Sequence, residues 1–223
     1  MSISKLMDSK IYDAKMNIQN AYNEWAEIYD SNTNLTRDLD QKVTRDLLGG
    51  QKFNSILEIG CGTGKNTVFL AQIGLRVQAL DFSEAMIEKA REKVKGENVR
   101  FSRADITKKW PCDDKEFDLI VCNLVLEHIK DLSYPFAEAT RCLQENGRFL
   151  VNELHPSKQY KGTKARFEKG SETVEVEAFV HHISEFFQTA TTSGLNLMSL
   201  NEYWHEDDKD KPPRIISFIF EKK

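Results

Sequence analysis

A glycine-rich turn between two apolar runs is the strongest constraint on the fold of this chain. The largely apolar residues 55–59 lead into Gly60-Cys61-Gly62-Thr63-Gly64, a helical pattern follows, and a second apolar run at residues 77–80 ends in Asp81. Glycines let the backbone adopt positive φ and pass close to a ligand. A carboxylate after the next strand can accept hydrogen bonds from a ribose diol. The pattern therefore predicts a βαβ unit that holds a nucleoside.

The spacing of the glycines separates the ligand classes that use such turns. A phosphate loop requires G-x-x-x-x-G-K-[S/T], but Ile59 occupies the position of its first glycine and Asn66 follows Lys65. A dinucleotide fingerprint requires G-x-G-x-x-G, and Lys65 stands where its third glycine would be. The turn reads G-x-G-x-G instead, which argues against both classes.

Residues 58–64, with Asp81 in register, resemble the first motif, E/D-x-G-x-G-x-G, of the class I S-adenosylmethionine (SAM) dependent methyltransferases. The chain is similar to their broad type-11 small-molecule group. The resemblance runs over residues 22–221 and is most specific over 56–154. It implies a doubly wound, mostly parallel, seven-stranded Rossmann-like sheet, with the last strand antiparallel and inserted between its neighbours. Residues 22–30, Tyr-x-x-Trp-Ala-x-x-Tyr-Asp, are similar to the helical lid of that family.

The hydrophobic pattern alternates strands with helices, which predicts one doubly wound α/β domain over residues 1–223. We expect a helical cap at 1–50, which includes an amphipathic helix over residues 11–29. The cofactor-binding core is expected at 51–154. A polar insertion, predicted to lie on the substrate side, follows at 155–182, and a helix with two closing strands follows at 183–223.

Composition narrows the partners. The net charge is −4 and no basic cluster is evident, which disfavours nucleic acid. No apolar run approaches the roughly 20 residues that span a bilayer, and residues 1–10 carry no apolar signal segment. We therefore expect a cytoplasmic protein without membrane association. The four cysteines form no C-x-x-C motif, which suggests neither zinc nor a redox pair, and oligomeric state is open.

The resemblance also implies the cofactor, S-adenosyl-L-methionine, with S-adenosyl-L-homocysteine (SAH) as product. Carried over position by position, the glycine turn would wrap the methionine part, Asp81 would hold the ribose hydroxyls, and Asp105 would accept a hydrogen bond from the adenine amino group. The complete set of implied cofactor contacts is Tyr22, Glu58, Gly60, Cys61, Gly62, Gly64, Asp81, Phe82, Met86, Asp105, Ile106, Asn123 and His128.

Methyl transfer needs a general base only if the acceptor arrives protonated. His155 is the first candidate because it follows the fifth predicted strand, and His181 is the second because the insertion should return there. His182 and Glu153 are further candidates. Asn123 stands where metal-dependent relatives of the family place an acid, so no metal is predicted.

The sequence thus predicts an S-adenosylmethionine-dependent methyltransferase acting on an oxygen or nitrogen of a small molecule. Three alternatives stay open: a SAM-binding protein without turnover, a methyltransferase of protein or RNA, and a nicotinamide-dependent oxidoreductase on the same fold. No residue identifies the methyl acceptor.

Overall fold

The computed structural model describes residues 18–31, 33–169 and 172–223, and a seven-stranded sheet lies at its centre. The sheet strands are β1 (Phe53–Ile59), β2 (Gly74–Asp81), β3 (Val99–Arg103), β4 (Phe117–Asn123), β5 (Leu143–Leu154), β8 (Leu195–Tyr203) and β9 (Ile215–Lys222). A separate hairpin consists of β6 (Arg166–Lys169) and β7 (Glu172–Glu175). The helices are α1 (Ile18–Trp25), α2 (Leu35–Leu48), α3 (Thr67–Ile73), α4 (Glu84–Lys93), α5 (Ser133–Cys142), α6 (Pro156–Gln159) and α7 (Ile183–Thr192).

The strand order is β3-β2-β1-β4-β5-β9-β8. The first five of these strands are parallel, and β9 runs antiparallel between β5 and β8. The central strands are buried on both faces, which accounts for their nearly continuous apolar sequence. The predicted doubly wound sheet and its inserted last strand are confirmed.

Side-chain caps fix where two helices begin. The Asn34 side chain accepts hydrogen bonds from the backbone N–H groups of Thr36 and Arg37 at the start of α2. The Ser83 hydroxyl accepts from Met86 N at the start of α4, as its sequence position predicts. Each cap satisfies backbone donors that the first helical turn leaves unpaired.

The amphipathic helix predicted over residues 11–29 ends earlier in the structure than predicted. Residues 11–17 lie outside the described residues, and α1 ends at Trp25. Beyond it the chain continues in tighter turns, in which Ile28 N donates to Trp25 O and Ser31 N donates to Ile28 O. The lid segment therefore changes from helix to turns before it reaches α2.

The chain between α5 and β5 also differs from the prediction. Asn146-Gly147 is a pair typical of a helix end, but α5 ends at Cys142 and β5 starts at Leu143. Asn146 has φ 61°, a left-handed conformation that Asn tolerates better than most residues. Cys142, expected as a small core residue, is fully buried and is also joined to Cys112 by a disulfide.

The insertion after β5 packs against the lid. Phe167 of β6 stacks on Trp25 of α1 with ring centroids 5.2 Å apart. Val176 and Met86 belong to the same buried cluster. The hairpin therefore braces α1 from the outside. In the described part of the chain, no helix combines the length and apolar character that crossing a membrane requires.

Candidate active site

A cavity of about 470 Å³ opens at the carboxyl edge of the sheet. It follows the ends of β3, β2, β1 and β4, where ligands bind in doubly wound folds. Of the thirteen residues predicted to contact the cofactor, eleven line this cavity: Tyr22, Glu58, Gly60, Cys61, Gly62, Asp81, Phe82, Asp105, Ile106, Asn123 and His128. The structure therefore brings together residues that span more than 100 positions of sequence.

The glycine turn is shaped by two different requirements. Gly60 has φ 68°, and a Cβ atom there would lie 2.2 Å from the Val125 side chain, so only glycine fits. Gly62 has φ 51°, but a Cβ atom there would meet no atom within 4 Å. A side chain at position 62 would consequently enter the open space of the cavity rather than the protein.

Asp81 is held in place by the same turn. Its carboxylate accepts hydrogen bonds from Gly62 N at 2.8 Å and from Ser83 N at 2.9 Å. Burial raises the pKa of Asp81 to about 6. The carboxylate is therefore fixed between the end of β2 and the glycine turn, on the cavity wall.

The far end of the cavity lies beside β3. Asp105 lines it, while one of its carboxylate oxygens accepts hydrogen bonds from the backbone N–H and the hydroxyl of Thr107. Phe82 also lines the cavity, with its ring centroid 5.9 Å from that of Tyr22. Ile106 packs on the buried Trp110, whose indole N–H donates to Ile106 O. This end offers apolar walls and the Asp105 carboxylate, which pairs with Lys108 at 3.3 Å; Arg103 lines it as well.

Two of the residues predicted to contact the cofactor pack inside the protein instead of lining the cavity. Gly64 has φ 79°, and a Cβ atom there would lie 3.1 Å from Ala90 of α4. Met86 is fully buried in the cluster beneath the lid. Neither residue lines the cavity.

Glu58, the acid of the motif, supports the turn from below. Its carboxyl group accepts a hydrogen bond from the Thr67 hydroxyl at 2.6 Å, at the start of α3. Burial raises the pKa of Glu58 to about 8, which indicates that the group is protonated near neutral pH. It thus links β1 to α3 without adding a charge to the cavity.

The lid helix crosses the cavity and bonds to its opposite wall. The Tyr22 hydroxyl lies 2.9 Å from His128 Nε2, in the short 3₁₀ segment after β4. His128 Nδ1 lies 2.7 Å from the carbonyl oxygen of Glu177. A carbonyl only accepts, so Nδ1 must carry the proton, and Nε2 accepts from the Tyr22 O–H.

Contacts with the rim anchor the same helix. The Gln19 side chain donates to Phe82 O at 2.6 Å, and the Ser83 hydroxyl donates to Asn23 Oδ1. Both partners follow directly after Asp81 in sequence. The lid is therefore attached next to the residue predicted to bind the sugar.

Two buried acids lie behind His128. Glu153 accepts hydrogen bonds from the backbone N–H groups of Val125 and Leu126 at 3.0 and 2.8 Å, and burial raises its pKa to about 8. Burial also raises the pKa of Glu127, which lies 3.9 Å from His128 Nε2. Glu153, a candidate base from its sequence position, is only 2% exposed. Its hydrogen bonds to the backbone fix the conformation of the loop after β4.

The two histidines predicted as bases lie away from the cavity wall. His155 caps α6 by accepting from Ser157 N, and its Nε2 lies 2.8 Å from Glu202. His181 pairs with Ile129 O and with Glu185. Neither side chain reaches the cavity, so the geometry gives no support to a base role for either. A position just after a strand does not determine where a side chain points, so the prediction of these two bases gains no support from the cavity geometry.

Sequence reasoning missed the contribution of α2. Arg37 and Asp40 lie three residues apart on this helix, are almost fully buried, and both line the cavity. Lys65 lines it as well and pairs with Asp38 of the same helix. No signal in the sequence indicated this role, because the burial of these charged residues is not readable from the polar sequence of the helix.

The comparisons with known proteins agree with this geometry. A family model described as "Methyltransferase domain" matches residues 57–151. The demethylmenaquinone methyltransferase of Clavibacter sepedonicus is 35% identical over 100 residues, covering 44% of this chain and 40% of that protein. The malonyl-[acyl-carrier protein] O-methyltransferase of Hamiltonella defensa is 30% identical over 140 residues, covering 63% and 53%. The chain thus spans about half the length of these curated relatives.

A solved structure extends the likeness to the fold. The S-adenosylmethionine-dependent methyltransferase from Mesorhizobium loti superposes with a TM-score of 0.71 at 18% identity, covering 85% of this chain and all of that one. The sheet and the glycine turn define a Rossmann-like nucleoside-binding protein. Within that class, residues 57–151 match the model of a methyltransferase domain, and the fold is that of an S-adenosylmethionine-dependent methyltransferase.

Proposed function

We propose that this protein transfers the methyl group of SAM to an oxygen or nitrogen of a small molecule. The observation that carries the proposal is the line of the cavity along four strand ends, with Asp81 fixed to the glycine turn at its middle. A nucleoside seated on Asp81 would have its base toward β3 and its 5′ substituent toward β1 and β4. That order matches the three parts of SAM.

The residues present fit the cofactor in size as well as chemistry. Adjacent strands lie about 4.8 Å apart, so the distance from the end of β3 to the end of β4 is roughly 14 Å. The open space beside Gly62 lies between these strand ends, next to the Asp81 carboxylate. Apolar walls at Phe82 and Ile106 suit a purine.

When bound, SAM supplies an electrophilic methyl group on a sulfonium sulfur. The chain must align an acceptor with that group and exclude water. The α1 helix, with Tyr22 over the cavity and the β6–β7 hairpin behind it, covers the site. We infer that the lid performs both tasks.

We further propose His128 as the group that receives a proton from the acceptor. Its Nε2 is the ring nitrogen that can accept a proton, because Nδ1–H is committed to Glu177 O, and the residue lines the cavity. The Tyr22 O–H donates to that nitrogen, and an acceptor O–H or N–H could replace it there. Glu127 lies beside this ring, 3.9 Å from Nε2.

A small acceptor is favoured by charge and by the lid. The net charge of −4 suits phosphate-rich substrates poorly, and a covered cavity suits a compact acceptor. The relatives named above carry the names of different acceptors, one a demethylmenaquinone and one a malonyl group on a carrier protein. Likeness to these proteins therefore leaves the acceptor open.

A transfer screen tests this function. The protein is incubated with SAM carrying a labelled methyl group and with a library of small hydroxylated and amino compounds, and SAH formation is measured in parallel. We expect labelled product with at least one class of acceptor, lost in His128→Gln. Binding of SAH without transfer to any acceptor would instead identify a SAM-binding protein without turnover.

A further inference from the structure

The buried carboxylate of Asp40 lies at the end of the cavity opposite Asp105. One of its oxygens accepts hydrogen bonds from Asn123 Nδ2 at 2.6 Å and from Asn152 Nδ2 at 3.0 Å. These two asparagines are paired on the neighbouring strands β4 and β5. The other Asp40 oxygen accepts from Asn66 Nδ2 at 2.9 Å, at the start of α3. Asp40 is 3% exposed and lines the cavity.

Asp40 has no direct ion-pair partner among the described residues, although Lys65 on the same cavity wall acts to lower the pKa of its carboxyl group. Ion pairs among residues 18–31, 33–169 and 172–223 do not include Asp40. A buried charge is ordinarily paired, and here three neutral carboxamides surround it. A cationic ligand group in the cavity would complete the pairing.

The three carboxamides add an independent observation. Each uses its N–H donor on Asp40, so each carbonyl oxygen is left over, and Asn66, Asn123 and Asn152 all have a buried Oδ1 atom without a hydrogen-bond partner among the described residues. Asn66 and Asn123 line the cavity beside Asp40. Buried acceptors of this kind are normally satisfied, so this end of the cavity is suited to a group that brings several N–H donors.

From this geometry we propose that Asp40 recognises the α-ammonium group of the cofactor's methionine part, with the Asn66 carbonyl as a second acceptor. The inference rests on the proposed function, because it places the adenosine on Asp81 and the amino acid at the β1–β4 end. Arg37 and Lys65 also line the cavity and would supply positive charge for the α-carboxylate. Asp40 is then a positioning residue that distinguishes SAM and SAH from nucleosides without an ammonium group.

Titration calorimetry with three ligands tests the proposal: SAH, its desamino analogue that keeps the carboxylate, and 5′-methylthioadenosine, which lacks the amino acid. Wild-type protein should bind SAH at least about 10-fold more tightly than the desamino analogue, because a charged hydrogen bond is lost. Asp40→Asn should weaken SAH about 10- to 100-fold, while the other two ligands change by less than about 2-fold.

Asp46→Asn is the matched control, because Asp46 lies on the same helix but is exposed and pairs with Lys42. It should leave all three affinities unchanged. Asp40→Asn can keep its contacts if Asn66 turns its carboxamide over, so the fold should survive, and methylthioadenosine binding on the same sample verifies this.

Equal losses for SAH and the desamino analogue in Asp40→Asn would overturn the proposal, as would equal affinities of wild-type protein for the two ligands. The second comparison needs no variant, so it stands even if Asp40→Asn does not fold. Failure of wild-type protein to bind either SAH or methylthioadenosine would instead contradict the proposed function itself.

Discussion

Tyr22 and His128 are joined across the cavity by a hydrogen bond of 2.9 Å between the phenol oxygen and Nε2. One belongs to the lid helix α1 and the other to the loop after β4, 106 residues later. The bond therefore connects the cover of the site to the strand end where we propose that the acceptor approaches. It makes these two residues the first to test for catalysis.

His128→Gln removes the proton acceptor but keeps a polar side chain of similar length. We expect kcat for the acceptor found in the transfer screen to fall about 100-fold, a typical contribution of a general base. The affinity for SAH should change by less than about 3-fold, since His128 acts on the acceptor. His155→Gln is the control, and a comparable loss of kcat in that variant would contradict the assignment.

Gly60→Ala and Gly62→Ala should fail in different ways. A methyl group at 60 collides with Val125, so we expect loss of the folded protein, measured by thermal unfolding. A methyl group at 62 meets no protein atom and costs only the backbone strain of a positive φ, about 1–2 kcal/mol. Gly62→Ala should therefore fold yet bind SAH at least about 10-fold more weakly, because its methyl enters the ligand's space. Unchanged SAH affinity would show that the ligand lies elsewhere.

Nucleoside binding should depend on the charge of Asp81. Its pKa of about 6, raised by burial, means that the carboxylate is lost as pH falls below 6. Methylthioadenosine affinity, which does not involve Asp40 in our account, should then fall with a slope approaching 10-fold per pH unit. Asp81→Asn should bind more weakly at pH 7.5 and show a flat profile. If the wild-type affinity for methylthioadenosine does not change between pH 5 and 7.5, Asp81 does not bind the sugar.

The stability of the protein should decrease as pH rises from about 4.5 to 8. Glu153 has a pKa of 4.5 when unperturbed and about 8 in the folded protein, because of burial. In that interval the folded state binds more protons than the unfolded state, so deprotonation favours unfolding. Each such group contributes a slope of up to about −1.4 kcal/mol per pH unit. Urea unfolding of Glu153→Gln across this range should show a shallower slope; an identical slope would mean that Glu153 does not titrate there.

Much of this site was predictable because it depends on local sequence. Glycine at 60 and 62, and the acid at 81, follow from what one turn and one strand end require. Arg37 and Asp40 escaped prediction, since their importance arises only when α2 docks on the turn near Lys65 and Asn66. The base candidates His155 and His181 were chosen by position along the chain, whereas the direction of a side chain depends on its partners.

The most direct measurement of the central claim is calorimetric titration of the wild-type protein with SAH, followed by competition with SAM and with NADH. The account predicts saturable binding of one SAH per chain. SAM should displace the bound SAH, and NADH should not. Absence of heat with both SAH and SAM, or displacement of bound nucleoside by NADH, would contradict it.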